Sequence, residues 1–112
     1  MSIASPRASA RGLFHWSRID LMVRGKRKTA YAVFSERNRD IHLGAVLRTK
    51  THRGRSWRAL PVGKDGSLLR TSAGYSSTRA GASILLIQHL NRSKSGRDRL
   101  DRAQIKEHRV PR

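Results

Sequence analysis

The chain has 112 residues, no cysteine, 25 Lys and Arg against seven Asp and Glu, and a net charge of +18. That length suits one domain with a modest core. The missing thiols exclude disulfides, thiolate zinc sites and cysteine nucleophiles, and no apolar run reaches the length of a membrane span.

Residues 1–12 are Ser, Ala and Arg with one Pro and no periodicity, which reads as a flexible basic arm. This acid-free start also resembles a mitochondrial transit peptide in composition. His15–Arg24 alternates, with Ile19, Leu21 and Val23 on one face and Arg18, Asp20, Met22 and Arg24 on the other. That is the pattern of a half-buried strand. Gly25–Lys28 is a basic turn, and Thr29–Ser35 is rich in β-formers, so the two segments predict a hairpin. The polar run Glu36–Asp40 closes it.

Ile41–Lys50 predicts a third strand, with Leu43, Ala45 and Leu47 on one face and His42, Val46, Arg48 and Lys50 on the other. Thr51–Arg55 is a basic loop. Ser56–Val62 is a fourth strand, and Pro61 near its end is tolerable there. Gly63-Lys64-Asp65-Gly66 has hairpin-turn chemistry, and Ser67–Thr71 reads as a short fifth strand. Ser76 and Ser77 offer an N-cap for a helix from Thr78 to about Asn91, with Ala80, Ile84 and Ile87 on its apolar stripe beside Leu85 and Leu86. Ser93–Gly96 reads as a linker. Arg97–Arg109 predicts a marginal helix whose apolar content is Leu100, Ala103 and Ile105.

The expected fold class is α+β. An antiparallel sheet of about five strands packs against one C-terminal helix, with flexible basic termini. The domain spans residues 13–92, between the arm at 1–12 and a basic tail at 93–112.

The segment from Gly44 to Leu90 runs strand, basic loop, Trp57-bearing strand, glycine turn, strand and capped helix. Its anchors are Gly44-Ala45-Val46-Leu47-Arg48, Ser56-Trp57-Arg58-Ala59, Asp65-Gly66 and Ser77-Thr78-Arg79-Ala80. It resembles the three-stranded-sheet-plus-helix modules of the AP2 type and of tyrosine-recombinase arm-binding domains. The resemblance covers under half the chain. It implies a sheet lying in the DNA major groove with the helix behind it. Carried onto this sequence, it nominates Arg48, Lys50, Trp57, Arg58 and Arg70. Trp57 and Arg58 point to opposite faces, so one of the two can meet the groove. The helix start Thr78-Arg79-Ala80-Gly81 also lacks the acids usual in the family.

Charge leads to the same class of partner. Residues 1–40, 41–75 and 76–112 each carry net +6, so the body of the protein is as basic as its ends. Such charge repels itself in a compact state, and a polyanion relieves it by phosphate neutralisation and counterion release. Arg53 and Arg55 in the Thr51–Arg55 loop join the candidate phosphate ligands. If Leu43, Ala45 and Leu47 pack under the helix, the Arg48/Lys50 face is free for phosphates or bases.

Several other readings compete at particular residues. Gly63–Gly66 also fits the G-x-x-G loop of a KH RNA-binding domain, although Asp65 would repel phosphate. Trp57 could stack on an unpaired base. The five histidines have no metal-ligand spacing, and Asp98 and Asp101 lie on a weakly folded tail, so neither a metal nor acid–base catalysis is expected. The expected protein is therefore an intracellular, cofactor-free binding protein of cytoplasm or nucleoid, not an enzyme. Its partner is DNA before RNA. The rivals are an RNA-structural role and an acidic protein partner; a membrane surface ranks last.

Overall fold

A computed structural model describes residues 12–51, 54–69 and 71–105. Residues 1–11, His52, Arg53, Arg70 and the residues from 106 onward, which include most of the expected arm and the end of the expected tail, lie outside the described residues.

The fold is α+β. Five antiparallel strands follow one another across the sheet as β1 (Phe14–Val23), β2 (Lys26–Ser35), β3 (His42–Thr51), β4 (Gly54–Pro61) and β5 (Gly74–Ser76). Two helices come next, α1 (Arg79–Leu90) and α2 (Lys94–Arg102).

The first hairpin turns on Arg24 and Gly25 alone, with φ of 52° and 78°. Positive φ at both central residues is the type I′ geometry, whose twist matches the flanking strands. The turn is therefore tighter than the expected Gly25–Lys28, and Lys26, Arg27 and Lys28 belong to β2. A bulge interrupts the β2–β3 ladder, where Val33 pairs with Gly44 but Phe34 pairs with His42. The extra residue is Leu43. It is fully buried in the cluster that holds Leu86, Leu90 and Leu100.

Thr78 caps α1, its Oγ1 accepting from the Gly81 N–H at 2.9 Å. The helix buries Ala80, Ala82, Ser83, Leu86, Ile87 and Leu90 against the sheet. Gly44 sets how closely it docks. A Cβ there would lie 2.5 Å from the Leu60 carbonyl oxygen and 2.9 Å from Leu86, and the residue's φ is 149°. Only glycine meets both demands.

Further expectations need correction, beginning with the cap of α1, which is Thr78 in place of Ser76 or Ser77. The fifth strand is Gly74–Ser76, not Ser67–Thr71; Leu68 makes only an isolated bridge to Val62. The buried stripe of α1 contains Ser83 and leaves Ile84 half-buried. The Ser93–Gly96 linker is the start of a second helix, because Ser93 caps α2 by accepting from the Gly96 N–H at 3.0 Å. Leu100, Ala103 and Ile105 all enter the main core. The buried Ser35 hydroxyl donates to the Ala103 carbonyl and ties the end of β2 to the end of α2.

Candidate nucleic-acid interface

The path of α1 decides which part of the sheet stays open. It starts just past Ser76, the cross-strand partner of Trp57. It then runs over Val46 and Gly44 toward the β2–β3 connection, where α2 lies. Val46 and Ala59 are thus the floor beneath the helix, while Ala45 and Leu47 face the other side of the sheet. This reverses the expected assignment. Arg48 and Lys50 share a face with α1, displaced past its N-terminus toward the hairpin tips.

Strand alternation extends that uncovered surface across four strands. Arg18 and Asp20 lie on it from β1, Arg27 and Thr29 from β2, Arg48 and Lys50 from β3, and Arg55 and Trp57 from β4. Arg18, Arg27, Arg48, Lys50 and Arg55 are all exposed. Arg58 is half-buried on the opposite face, as the alternation requires. The structure therefore brings together Arg48, Lys50, Arg55 and Trp57 of the sequence-nominated set and separates Arg58 from them. Arg53 and Arg70 lie outside the described residues.

A row of rings and guanidinium groups crosses this face where the helix begins. The Arg48 guanidinium carbon is 5.8 Å from the Trp57 ring centre. Trp57 stands 6.0 Å from Tyr31. Arg79, the first residue of α1, lies 4.6 Å from Tyr31 and 4.5 Å from Trp16. Stacking on a ring holds a guanidinium in place while its in-plane donors stay available to a phosphate or a guanine edge. Arg18, Arg27, Tyr31 and Arg79 were absent from the sequence-based set. Counting register across the Arg24-Gly25 turn pairs Arg18 with Tyr31, but placing them on the Arg48 face needs the β2–β3 register, which the bulge shifts. Nothing in the sequence marks Arg79, which arrives from the helix.

The acids are sorted to the other end. Glu36 and Asp40 sit in the β2–β3 connection, Asp65 in the turn after β4, and Asp98 and Asp101 on α2. Glu36 is engaged by Arg39 at 2.7 Å. Hydrogen bonds from the Ser67 hydroxyl and N–H hold the Asp65 carboxyl below its usual range, so it stays charged. Among the described residues, Asp20 is the one acid on β1–β4. The turn Gly63–Gly66 follows β4 and closes with the Gly66 N–H donating to the Gly63 carbonyl at 3.0 Å. It does not join two helices, so it lacks the setting a KH loop requires.

No helix among the described residues is long and apolar enough to cross a membrane. No protein-family model, curated protein or solved structure matches this chain.

Proposed function

We propose that this protein binds nucleic acid, duplex DNA ahead of RNA, through the cationic hairpin end of its sheet. One observation carries the reading. Exposed cations from β1, β2, β3 and β4 converge on the part of the sheet that α1 leaves uncovered, while five of the six described acids lie at the far end. The net charge of +18 supplies the long-range attraction. Arg48, Lys50 and Arg55 supply contacts to phosphates and base edges, with Trp57 holding Arg48 in place and Tyr31 holding Arg79. The resemblance of residues 44–90 to AP2-type modules favours DNA, with two differences: Arg48 and Lys50 lie on the helix side of the sheet, and the third strand is Gly74–Ser76 in place of Ser67–Thr71. The protein acts as a binding protein inside the cell and needs no cofactor.

Fluorescence anisotropy across a salt series tests the reading, with duplex DNA and structured RNA as probes. Affinity for DNA is expected to fall linearly on a log–log plot. Arg48→Ala/Lys50→Ala should weaken binding and make that slope shallower, by about 1.8 where both meet phosphates. Tighter binding to RNA points to the RNA-structural role. Loss of all binding near physiological salt points to an acidic protein partner.

A further inference from the structure

The ladders between the strands end at different places. β1 and β2 pair all the way to Val23 and Lys26, and β3 and β4 all the way to Thr51 and Gly54. Between β2 and β3, however, the ladder runs only from Phe34↔His42 to Ala30↔Leu47. Lys26–Thr29 and Arg48–Thr51 belong to strands but are not joined to each other. Past Ala30 and Leu47 the sheet therefore splits into two separate ribbons. The β1–β2 ribbon projects by four residues per strand, about 13 Å at strand rise; the β3–β4 ribbon does so on β3, while β4 stays paired with β5 as far as Trp57.

We infer that the protein grips B-form DNA as a fork, with the β3–β4 ribbon in the major groove and the β1–β2 ribbon on the neighbouring sugar-phosphate backbone. The inference rests on the nucleic-acid reading above and names how that surface is used. Width is the first argument. Four joined strands span about 14 Å between their outer backbones before side chains are counted, more than the major groove's width of about 12 Å. A two-stranded ribbon fits the groove, and below the split the sheet is too wide to follow it in.

The two ribbons also differ in chemistry. The β3–β4 ribbon carries hydrogen-bonding side chains on both faces, with Arg48, Lys50 and Arg55 on one and Thr49 and Ser56 on the other. Base edges are read by such groups. The β1–β2 ribbon has an apolar stretch at Leu21, Met22 and Val23 and a cationic tip at Arg24, Lys26, Arg27 and Lys28. Four cations in the five residues from Arg24 to Lys28 make this tip the denser in charge, which suits phosphate neutralisation. The sides of the notch, Lys26–Ser35 and His42–Pro61, hold no acid among the described residues. Form selects the duplex: the major groove of A-form RNA is too deep and narrow for a ribbon to read.

The test combines dimethyl sulfate protection of guanine N7 with salt-dependent affinity on one short duplex, as DNA and as RNA. The wild-type protein is compared with Lys26→Ala/Arg27→Ala/Lys28→Ala and Arg48→Ala/Lys50→Ala/Arg55→Ala. All six positions are exposed, so circular dichroism should report an unchanged fold. The wild type is expected to protect N7 and to bind the RNA duplex at least tenfold more weakly. The β1–β2 variant should keep N7 protection while its salt slope falls by about 2.7. The β3–β4 variant should lose N7 protection even at saturation. Binding without N7 protection, equal affinity for the RNA duplex, or loss of protection in the β1–β2 variant overturns the fork while leaving nucleic-acid binding intact. Absence of binding by the wild type overturns the parent reading itself.

Discussion

The Trp16 indole N–H donates to the Ser83 hydroxyl at 2.9 Å and joins the first strand to a helix 67 residues later. Ser83 is fully buried, and its own proton goes to the Arg79 carbonyl at 3.0 Å. One hydroxyl thus satisfies the indole and anchors the first turn of α1. Trp16→Phe and Ser83→Ala should each cost about 1 kcal/mol of stability, read from urea midpoints at constant slope. The double variant should cost less than the two together, since both remove the same bond.

Arg79 opens a helix whose first turn has no acid, where a cation opposes the helix dipole. Its stacking on Trp16 and Tyr31 offsets that penalty, at roughly 0.5–1 kcal/mol per ring. Arg79→Ala is expected to lower stability by about 1 kcal/mol. It should also shift the tryptophan emission, because Trp16 loses a covering group. An unchanged spectrum with unchanged stability would show the stacking to be incidental.

Gly44 and Gly25 make a contrasting pair. Both have positive φ, but a Cβ on Gly25 meets nothing within 4 Å, whereas one on Gly44 meets the β4 backbone and Leu86. Gly25→Ala should cost about 1 kcal/mol of backbone strain. Gly44→Ala adds a steric clash under the helix and should cost about 3 kcal/mol or more. Thermal unfolding of the two variants side by side measures the difference.

His42 links stability to pH. Burial holds its pKa below the ordinary value near 6.5, outweighing the bond to the Gly44 carbonyl at 2.8 Å; the Arg99 charge lowers it further. The unfolded chain therefore binds the extra proton more readily than the folded one. The His42 contribution is fully present above about pH 6.5 and is lost as pH falls from there through the lower value of the folded state. His42→Gln should flatten this part of the stability profile. A profile as steep as that of the wild type would assign the effect to other groups.

Much of the sheet was legible from sequence. Period-2 alternation at Ile19, Leu21 and Val23 and the β-former run Thr29–Ser35 placed the first hairpin, and glycine turns bounded the third and fourth strands. The faces were not legible. Both sides of β3 carry apolar residues, Val46 on one and Ala45 and Leu47 on the other. Alternation alone cannot say which side meets a helix. The bulge at Leu43 then puts that side chain in the core with Val46, against the parity that grouped it with Ala45. The fifth strand was misplaced because Ser67–Thr71 has better strand composition than Gly74-Tyr75-Ser76. The latter gains its place through pairing with Trp57, Arg58 and Ala59, which is information from elsewhere in the chain. The second helix was underrated for a related reason. Its apolar side chains are few, but Leu100 and the trailing Ala103 and Ile105 are all buried.

At the candidate site, the sequence nominated Arg48, Lys50, Arg55 and Trp57 but could not supply their neighbours. Tyr31 and Arg79 reach Trp57 and Trp16 only through strand register and helix docking. The split between the hairpins has no signature in residue types at all. It is a property of where a ladder stops.

The sorting of acids to one end leaves both ends cationic but concentrates the excess charge at the hairpins, so the net cation is electrically lopsided. In the field of a polyanion such a body feels a torque before it touches anything. On the proposed nucleic-acid reading, the hairpins are expected to lead the approach and the helices to trail, so that fewer encounters are wasted on the wrong orientation. On that reading, the speed of association and its decline as ions screen the field should depend on the placement of Glu36, Asp40, Asp65, Asp98 and Asp101 as well as on the arginines proposed to make the contact.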